Sequence, residues 1–263
     1  MTEDKIIDIH AHIFPDKVAG KAVQSIGKYY GMDMACPGTV AGLLESGNRI
    51  KVSRYVVHST ATQVEQVRTI NGFIAEAQRA NPSFIGFGTL HSGLEDMDSE
   101  VGQVMALGLK GIKLHPEFQG FNIDDREMLP LYKALEGKLP ILMHMGDAVK
   151  TSSSPRRLLK ILNQFPNLTV IAAHLGGYQM WGDSMEYLVG RNVYFDTSST
   201  LTKLDRSTVL KIIRSHGVDK VLFGSDYPMW SHEDELERFN RLGLLQEEKE
   251  KILWKNAQRL LGL

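Results

Sequence analysis

The stretch PILMHMGDAVKTSSSPRRLLKILNQFPNLTVIAAHLGG, residues 140–177, holds one complete structural unit, and reading it decides the fold. PILMHMG (140–146) and TVIAAHLG (169–176) are continuously apolar, the pattern of parallel strands covered on both faces. Between them, 154–165 has helical spacing. Ser154 can cap, Pro155 suits the first helical position, and Leu158, Leu159, Leu162 and Phe165 face inward. Strand, helix and strand follow one another, and a histidine closes each strand: His144 and His174.

Working outward, the same kind of run recurs at IIDIH (6–10), RYVVHS (54–59), FIGFGTL (84–90), LKGIKLH (109–115), NVYFDTS (192–198) and KVLFGSD (220–226). Helical stripes lie between them. Val64, Val67, Ile70, Ile74 and Ala77 share a face in 62–80, ended by Asn81-Pro82. Val209, Leu210, Ile212 and Ile213 precede Gly217 in 202–216, and Ile252, Leu253, Leu260 and Leu261 mark a last helix at about 246–262. From His10 to Asp226 are 216 residues over seven steps, about 31 each, the length of one βα unit. The chain is therefore expected to be an α/β protein, a single-domain (β/α)8 TIM barrel over 1–263. A doubly wound sheet competes, but it should carry a Gly-rich phosphate turn after its first strand, and HAHIFPDK is not one. Residues 13–50 are too long for a plain βα connection and are expected to be a long first loop over the barrel mouth, contributing Tyr29, Tyr30, Met32 and Met34.

Composition narrows the function. Thirty Lys and Arg against 31 Asp and Glu leave a net charge of −1, which offers no drive toward nucleic acid. The single Cys36 excludes an internal disulfide and a thiolate zinc site. The acidic start MTEDK is not a signal peptide, and no apolar run approaches the roughly 18 residues that span a bilayer. A cytoplasmic protein with a small-molecule substrate and no membrane partner is expected, with a homodimer as the default assembly.

Six of nine histidines fall at or just past strand ends: His10, His12, His58, His115, His144 and His174. Asp226 ends the eighth strand. Barrel enzymes place their chemistry on that rim. His10 and His12 are two apart, so both imidazoles project to one face, an arrangement suited to a divalent metal. Alone, H-x-H is a weak signal, equally read as ordinary histidines. His144, His174 and Asp226 at equivalent ends strengthen it, since an apolar strand gains nothing by ending in a group that must be desolvated.

The set DIHAH, LMHMGD, IAAHLGG and FGSDYP, in that order and spacing, resembles the amidohydrolase superfamily. In particular it resembles the amidohydrolase-related branch that includes aminocarboxymuconate-semialdehyde decarboxylase, resorcylate decarboxylases and lactone hydrolases. The likeness runs over essentially the whole chain, to the tail KNAQRLLGL. It implies His10, His12, His144 and Asp226 as ligands to one divalent ion, zinc first with manganese or iron as alternatives. It implies His174 and Asp226 as the catalytic pair. Two-metal members use strand six for a ligand and often carry a carboxylated lysine on strand four, which leaves His174, Lys113 and His115 open as further ligands. The expected reaction is hydrolysis of an amide, ester or lactone bond through a metal-activated water. The alternative is metal-dependent non-oxidative decarboxylation of a small aromatic or unsaturated acid.

Other residues carry weaker signals. His58 and His91 match no ligand of the family and read as rim packing or hydrogen bonding. His216, before Gly217, reads as a cation opposing a helix dipole. Trp230 and His232 are expected to shape the pocket entrance, Gly176-Gly177 to let the chain pass close to the site, and Tyr29, Tyr30 and Met32 to contact substrate. Arg156 and Arg157 are candidates for an acidic substrate, or simply a solvated basic pair.

Overall fold

In the computed structural model, which describes residues 5–263, every apolar run becomes a strand. They are β1 (Ile7–His12), β2 (Arg54–His58), β3 (Phe84–Gly88), β4 (Gly111–Leu114), β5 (Ile141–Met143), β6 (Val170–Ala172), β7 (Tyr194–Asp196) and β8 (Val221–Leu222). Residues 1–4, with most of the acidic start, lie outside the described residues. All neighbours pair in parallel in chain order. Backbone bonds from Ile9 N to Phe223 O (2.9 Å), Asp226 N to His10 O (2.9 Å) and His12 N to Tyr227 O (2.7 Å) join the last strand to the first. The architecture is a (β/α)8 barrel. Except for β1, which runs on to His12, the strands are shorter than the apolar runs.

Twelve helices cover it among the described residues. α1 (Asp16–Tyr30) and α2 (Val40–Asn48) follow β1, α3 (Gln66–Ala80) follows β2, and α4 (Met97–Ala106) follows β3. α5 (Pro116–Gln119) and α6 (Leu129–Leu135) follow β4, then α7 (Pro155–Gln164), α8 (Trp181–Tyr187) and α9 (Arg206–His216) follow β5, β6 and β7. α10 (His232–Asn240), α11 (Gln246–Glu250) and α12 (Asn256–Leu261) end the chain. The segment 13–50, read as a loop, is thus largely helical; Thr39 caps α2 by accepting from Gly42 N at 3.1 Å.

Local chemistry sets the boundaries. α7 starts at Pro155 as expected, but Ser154 makes no side-chain cap. α9 starts four residues later than its stripe suggested because Asp205 accepts from the amides of Ser207 and Thr208 (2.9 and 3.1 Å). It ends at Gly217, whose φ of +102° only glycine adopts without strain. The final helix is broken by a π-helical turn at Lys251–Lys255, where Ile252 O accepts from Phe223 N at 2.9 Å.

The barrel interior is filled by Ile7, Ile9, Val56, Phe87, Leu142 and Ile171, and a larger cluster separates strands from helices. β1 carries a feature its sequence conceals. Its pairing with β2 shifts between Asp8 and Ala11, so the strand has an extra residue there. The shift lets Ile7 and Ile9 fill the interior below while His10 and His12 face the mouth above, and it leaves Asp8 buried on the other side.

His216 corrects the dipole reading. It is 6% exposed, its Nδ1 accepts from Gly190 N (3.2 Å), its Nε2 donates to Val193 O (2.9 Å), and its ring stacks on Phe195. Burial lowers its pKa to about 4, so it ties α9 to the chain before β7 as a neutral ring rather than as a cation. Unfolding returns it to 6.5, so its contribution is full above pH 6.5 and is lost as pH falls toward about 4. In urea titrations, His216→Gln is expected to lose less stability than the natural protein between pH 7 and 4.5, by on the order of 2–3 kcal/mol. Parallel pH profiles for the two proteins would reject this.

Candidate metal centre

The C-terminal rim gathers His10 and His12 from β1, Lys113 from β4, and His144, His174 and Asp226 from the ends of β5, β6 and β8. Their outer atoms are spoken for. His10 Nδ1 donates to Asp196 Oδ2 at 2.9 Å, His144 Nε2 donates to Gly146 O at 2.9 Å, and His174 Nδ1 donates to Ser198 O at 3.0 Å. Because those oxygens only accept, each ring places a hydrogen there and turns its other nitrogen, the one able to offer a lone pair, inward.

What these inner atoms face is one another. His10 Nε2 lies 3.3 Å from His12 Nε2 and 3.4 Å from Asp226 Oδ1, and His12 Nε2 lies 3.5 Å from Asp226 Oδ1. Donors about 2.1 Å from a tetrahedral ion stand about 3.4 Å apart, so this triangle has the edge lengths of a metal site. Across the mouth, His144 Nδ1 and His174 Nε2 oppose each other at 3.0 Å. Lys113 Nζ, 3.1 Å from His10 Nε2, is the cation within hydrogen-bonding reach of the triangle. One ammonium has three hydrogens for five inward acceptors, so the donor set fits a divalent ion. The arrangement of N and O donors around first-row metals is of this kind.

Electrostatics agree. Burial lowers the His12 pKa to about 4, against the pull of Asp226, and holds His58, His115 and His144 well below 6.5, which favours neutral imidazoles. Burial opposes ionisation of Asp226, but His10, His174 and His12 outweigh it and hold the carboxyl well below 3.8. Asp226 Oδ2 accepts from the Ser199 hydroxyl, which in turn accepts from Trp230 Nε1 at 3.0 Å. Lys113, fully buried, falls to about 8. Four of the six non-glycine residues with positive φ stand here: His174 (61°), Leu175 (48°), Ser199 (52°) and Asp226 (58°). Such strain, about 1–3 kcal/mol each, collects where a side chain must be aimed. Gly176, at φ +78°, leaves no room for a Cβ against Ser184 and Phe195, so the chain does run tightly past the site.

A cavity of about 1,050 Å³ opens from His12, His144 and Asp226 outward between α1 and α3. Tyr29, Tyr30 and Met34 line it; Met32 does not. Tyr29 donates to Asp147 (2.9 Å), and the Tyr30 hydroxyl meets His115 Nε2 (3.1 Å), so the end of α1 is latched across the mouth.

Sequence reasoning missed Asp196 although it ends a strand like the others. It accepts from His10, from His174 N (2.9 Å) and from Ser198 N (3.0 Å). Burial disfavours its charge, yet His10, His174 and Ser198 hold it at about 2. Glu117, which lines the cavity with an Oε2 that accepts no hydrogen bond and lies 3.6 Å from His115 Nδ1, was missed too. His232 is not at the entrance. It is fully buried, with Nε2 3.0 Å from Asp8 Oδ2 and Nδ1 2.8 Å from Ser46 Oγ, where α10 packs against α2. His91 accepts from Gly93 N (3.1 Å) in its own loop, and Arg157 pairs with Asp124, so neither serves the cavity. Lys113 and His115 both reach the site, Lys113 beside His10 and His115 stacked on His144 at 3.9 Å. Among the described residues no helix is long and apolar enough to cross a membrane.

Known proteins resemble this chain over most of its length. The gamma-resorcylate decarboxylase of Polaromonas sp. strain JS666 is 24% identical over 258 residues, 76% of this chain and 77% of that one. The structure of a dihydroxybenzoic acid decarboxylase from the same strain, with bound manganese and the inhibitor 2-nitroresorcinol, superposes with a TM-score of 0.76 at 18% identity, covering 99% of this chain and 97% of that one. A Pseudomonas putida protein assigned as a 2-pyrone-4,6-dicarboxylic acid hydrolase superposes with a TM-score of 0.69 at 18% identity, covering 98% and 97%. The profile of the family described as Amidohydrolase matches residues 7–263, and the chain belongs to that family.

Proposed function

We propose that this protein is a metal-dependent decarboxylase that removes CO2, without oxidation, from a small aromatic or unsaturated carboxylic acid. The observation that carries the reading is the set of inward lone pairs at the closed end of a cavity walled by rings and aliphatic side chains, among them Phe14, Tyr29, Tyr30, Phe73 and Phe118. Such walls hold a planar apolar body and leave its polar head to the metal donors. The likeness to a resorcylate decarboxylase favours this reaction over hydrolysis, the first expectation from sequence. Hydrolysis stays the second reading because a structural neighbour is assigned as a hydrolase and Asp226 can equally accept a proton from water.

His10, His12, His144 and Asp226 would hold the ion, zinc or manganese. Bound there, the ion would supply positive charge for a carboxylate and a neighbouring oxygen of the substrate. The residues handle the proton. Asp226, ionised and braced by Ser199, takes up an acidic proton of the incoming substrate at Oδ1, the oxygen that faces the donor set. Delivery of that proton to the carbon bearing the carboxylate forms the C–H bond as the C–C bond breaks, and the bonding pair stays with that carbon while CO2 departs. His174, whose lone pair faces the same space, accepts a hydrogen bond from a substrate hydroxyl and so orients it, and Ser198 fixes its tautomer. The tyrosines on α1 help exclude water, so the carbanionic carbon meets this proton rather than solvent.

Purified protein loaded with zinc or manganese should retain about one equivalent per chain after gel filtration. Chelation should abolish turnover, and metal should restore it; His12→Ala should bind no ion. His174→Asn is expected to keep the ion and lose activity by roughly 10²–10⁴-fold, since it removes a proton-handling group and not a ligand. If it loses metal as completely as His12→Ala, His174 is a ligand and the assignment fails. A screen of hydroxybenzoates beside lactones and aryl esters, read by CO2 release and by ring opening or ester cleavage, decides the reaction. Turnover confined to the esters or lactones would install hydrolysis instead.

A further inference from the structure

His58 ends β2 as the register partner of His12, so the two side chains project to the same face of the barrel mouth. Its ring stands edge-on to His12 at 4.4 Å and lies 5.1 Å from His10. One nitrogen from each of His10, His12 and His58 falls within 4.8 Å of the other two. The residue is 0% exposed, and neither ring nitrogen has a hydrogen-bond partner. The other buried histidines, His10, His115, His144, His174, His216 and His232, each engage at least one nitrogen.

A buried polar atom left unpaired costs about 1–3 kcal/mol, and an apolar ring of the same shape would avoid that cost. Packing therefore does not explain an imidazole here. The surroundings limit what its nitrogens can meet. Its nearest polar neighbours, His10 and His12, already turn lone pairs inward, beside the Asp226 carboxylate. One nitrogen of a neutral ring carries the hydrogen; the other is an acceptor among acceptors, and it gains a partner only when a cation binds them together.

We propose that His58 is a ligand of the same ion as His10 and His12, approaching it from the β2 side. The proposal rests on the metal-centre reading above and adds a residue from a strand to which the resemblance assigns no ligand.

The test compares natural protein with His58→Phe, which keeps a ring against His12 and removes both nitrogens. Manganese affinity is measured by calorimetry, and directly bound imidazole nitrogens are counted by pulsed EPR of the manganese-loaded protein. The expected result is at least a tenfold weaker Kd, one fewer imidazole, and a smaller rise in Tm on adding manganese. A packing role predicts the opposite: a metal-free Tm below that of the natural protein, with Kd and imidazole count unchanged, which overturns the proposal. Should the variant not fold, the count is taken on natural protein and on His174→Asn, four imidazoles in both supporting His58 as a ligand and three in either rejecting it. Failure of natural protein to take up any metal would instead overturn the metal-centre reading, so the two failures are distinguishable.

Discussion

Lone pairs of neutral imidazoles repel when they face one another in a dry space, and the barrel mouth is built so that they must. The outer nitrogens of His10, His144 and His174 are bound to Asp196, Gly146 and Ser198, atoms that only accept, which turns the remaining electron pairs of three buried rings inward. His12 and the Asp226 carboxylate add two more acceptors. A single ammonium, from Lys113, cannot satisfy all of them. This unbalanced set of donors is what the rest of the structure supports, and a divalent cation is what balances it.

Much of the molecule serves to hold that unfavourable set in place. The extra residue in β1 aims His10 and His12 into the mouth while leaving Asp8 buried behind them. There Asp8 accepts from His10 N, from Ser225 and from His232, so the backbone of β1 is locked to the loop after β8 that carries Asp226. Asp196 binds β1, β6 and its own strand end through three donors. Strained backbone at His174 and Asp226 is tolerated because these contacts, and the apolar clusters beneath them, leave the chain no alternative. The same rigidity sets a floor for the cavity, over which Tyr29 and Tyr30 on α1 are latched to Asp147 and His115.

The alternation of strands and helices was legible because it is written in neighbouring residues. Continuous apolar runs, stripes such as Val67, Ile74 and Ala77, and stops such as Asn81-Pro82 act within one element, and each produced the element its spacing implied. Boundaries shifted where a side chain intervened, as Asp205 did for α9, or where the tertiary structure drew a carbonyl away, as Phe223 did for Ile252. The helices of 13–50 were passed over because few of their residues are buried; α1 has only Ala19 and Gly27 fully covered.

The site divides along the same line. The sequence alone determined which residues end the strands and therefore that His10, His12, His144, His174 and Asp226 share one rim, since barrel closure brings all strand ends together. It could not say which nitrogen of each ring faces inward, that Asp196 orients His10 and His58 stands unpartnered beside His12, or that His216 and His232 are buried ties. Those facts depend on partners far apart in the chain: His10 and Asp196 are 186 residues apart, and Asp8 and Ser225 are 217. Spacing encodes the direction of a side chain along its own strand. The atom it meets there is decided by the closed barrel, because only closure removes the water that would otherwise satisfy every one of these groups.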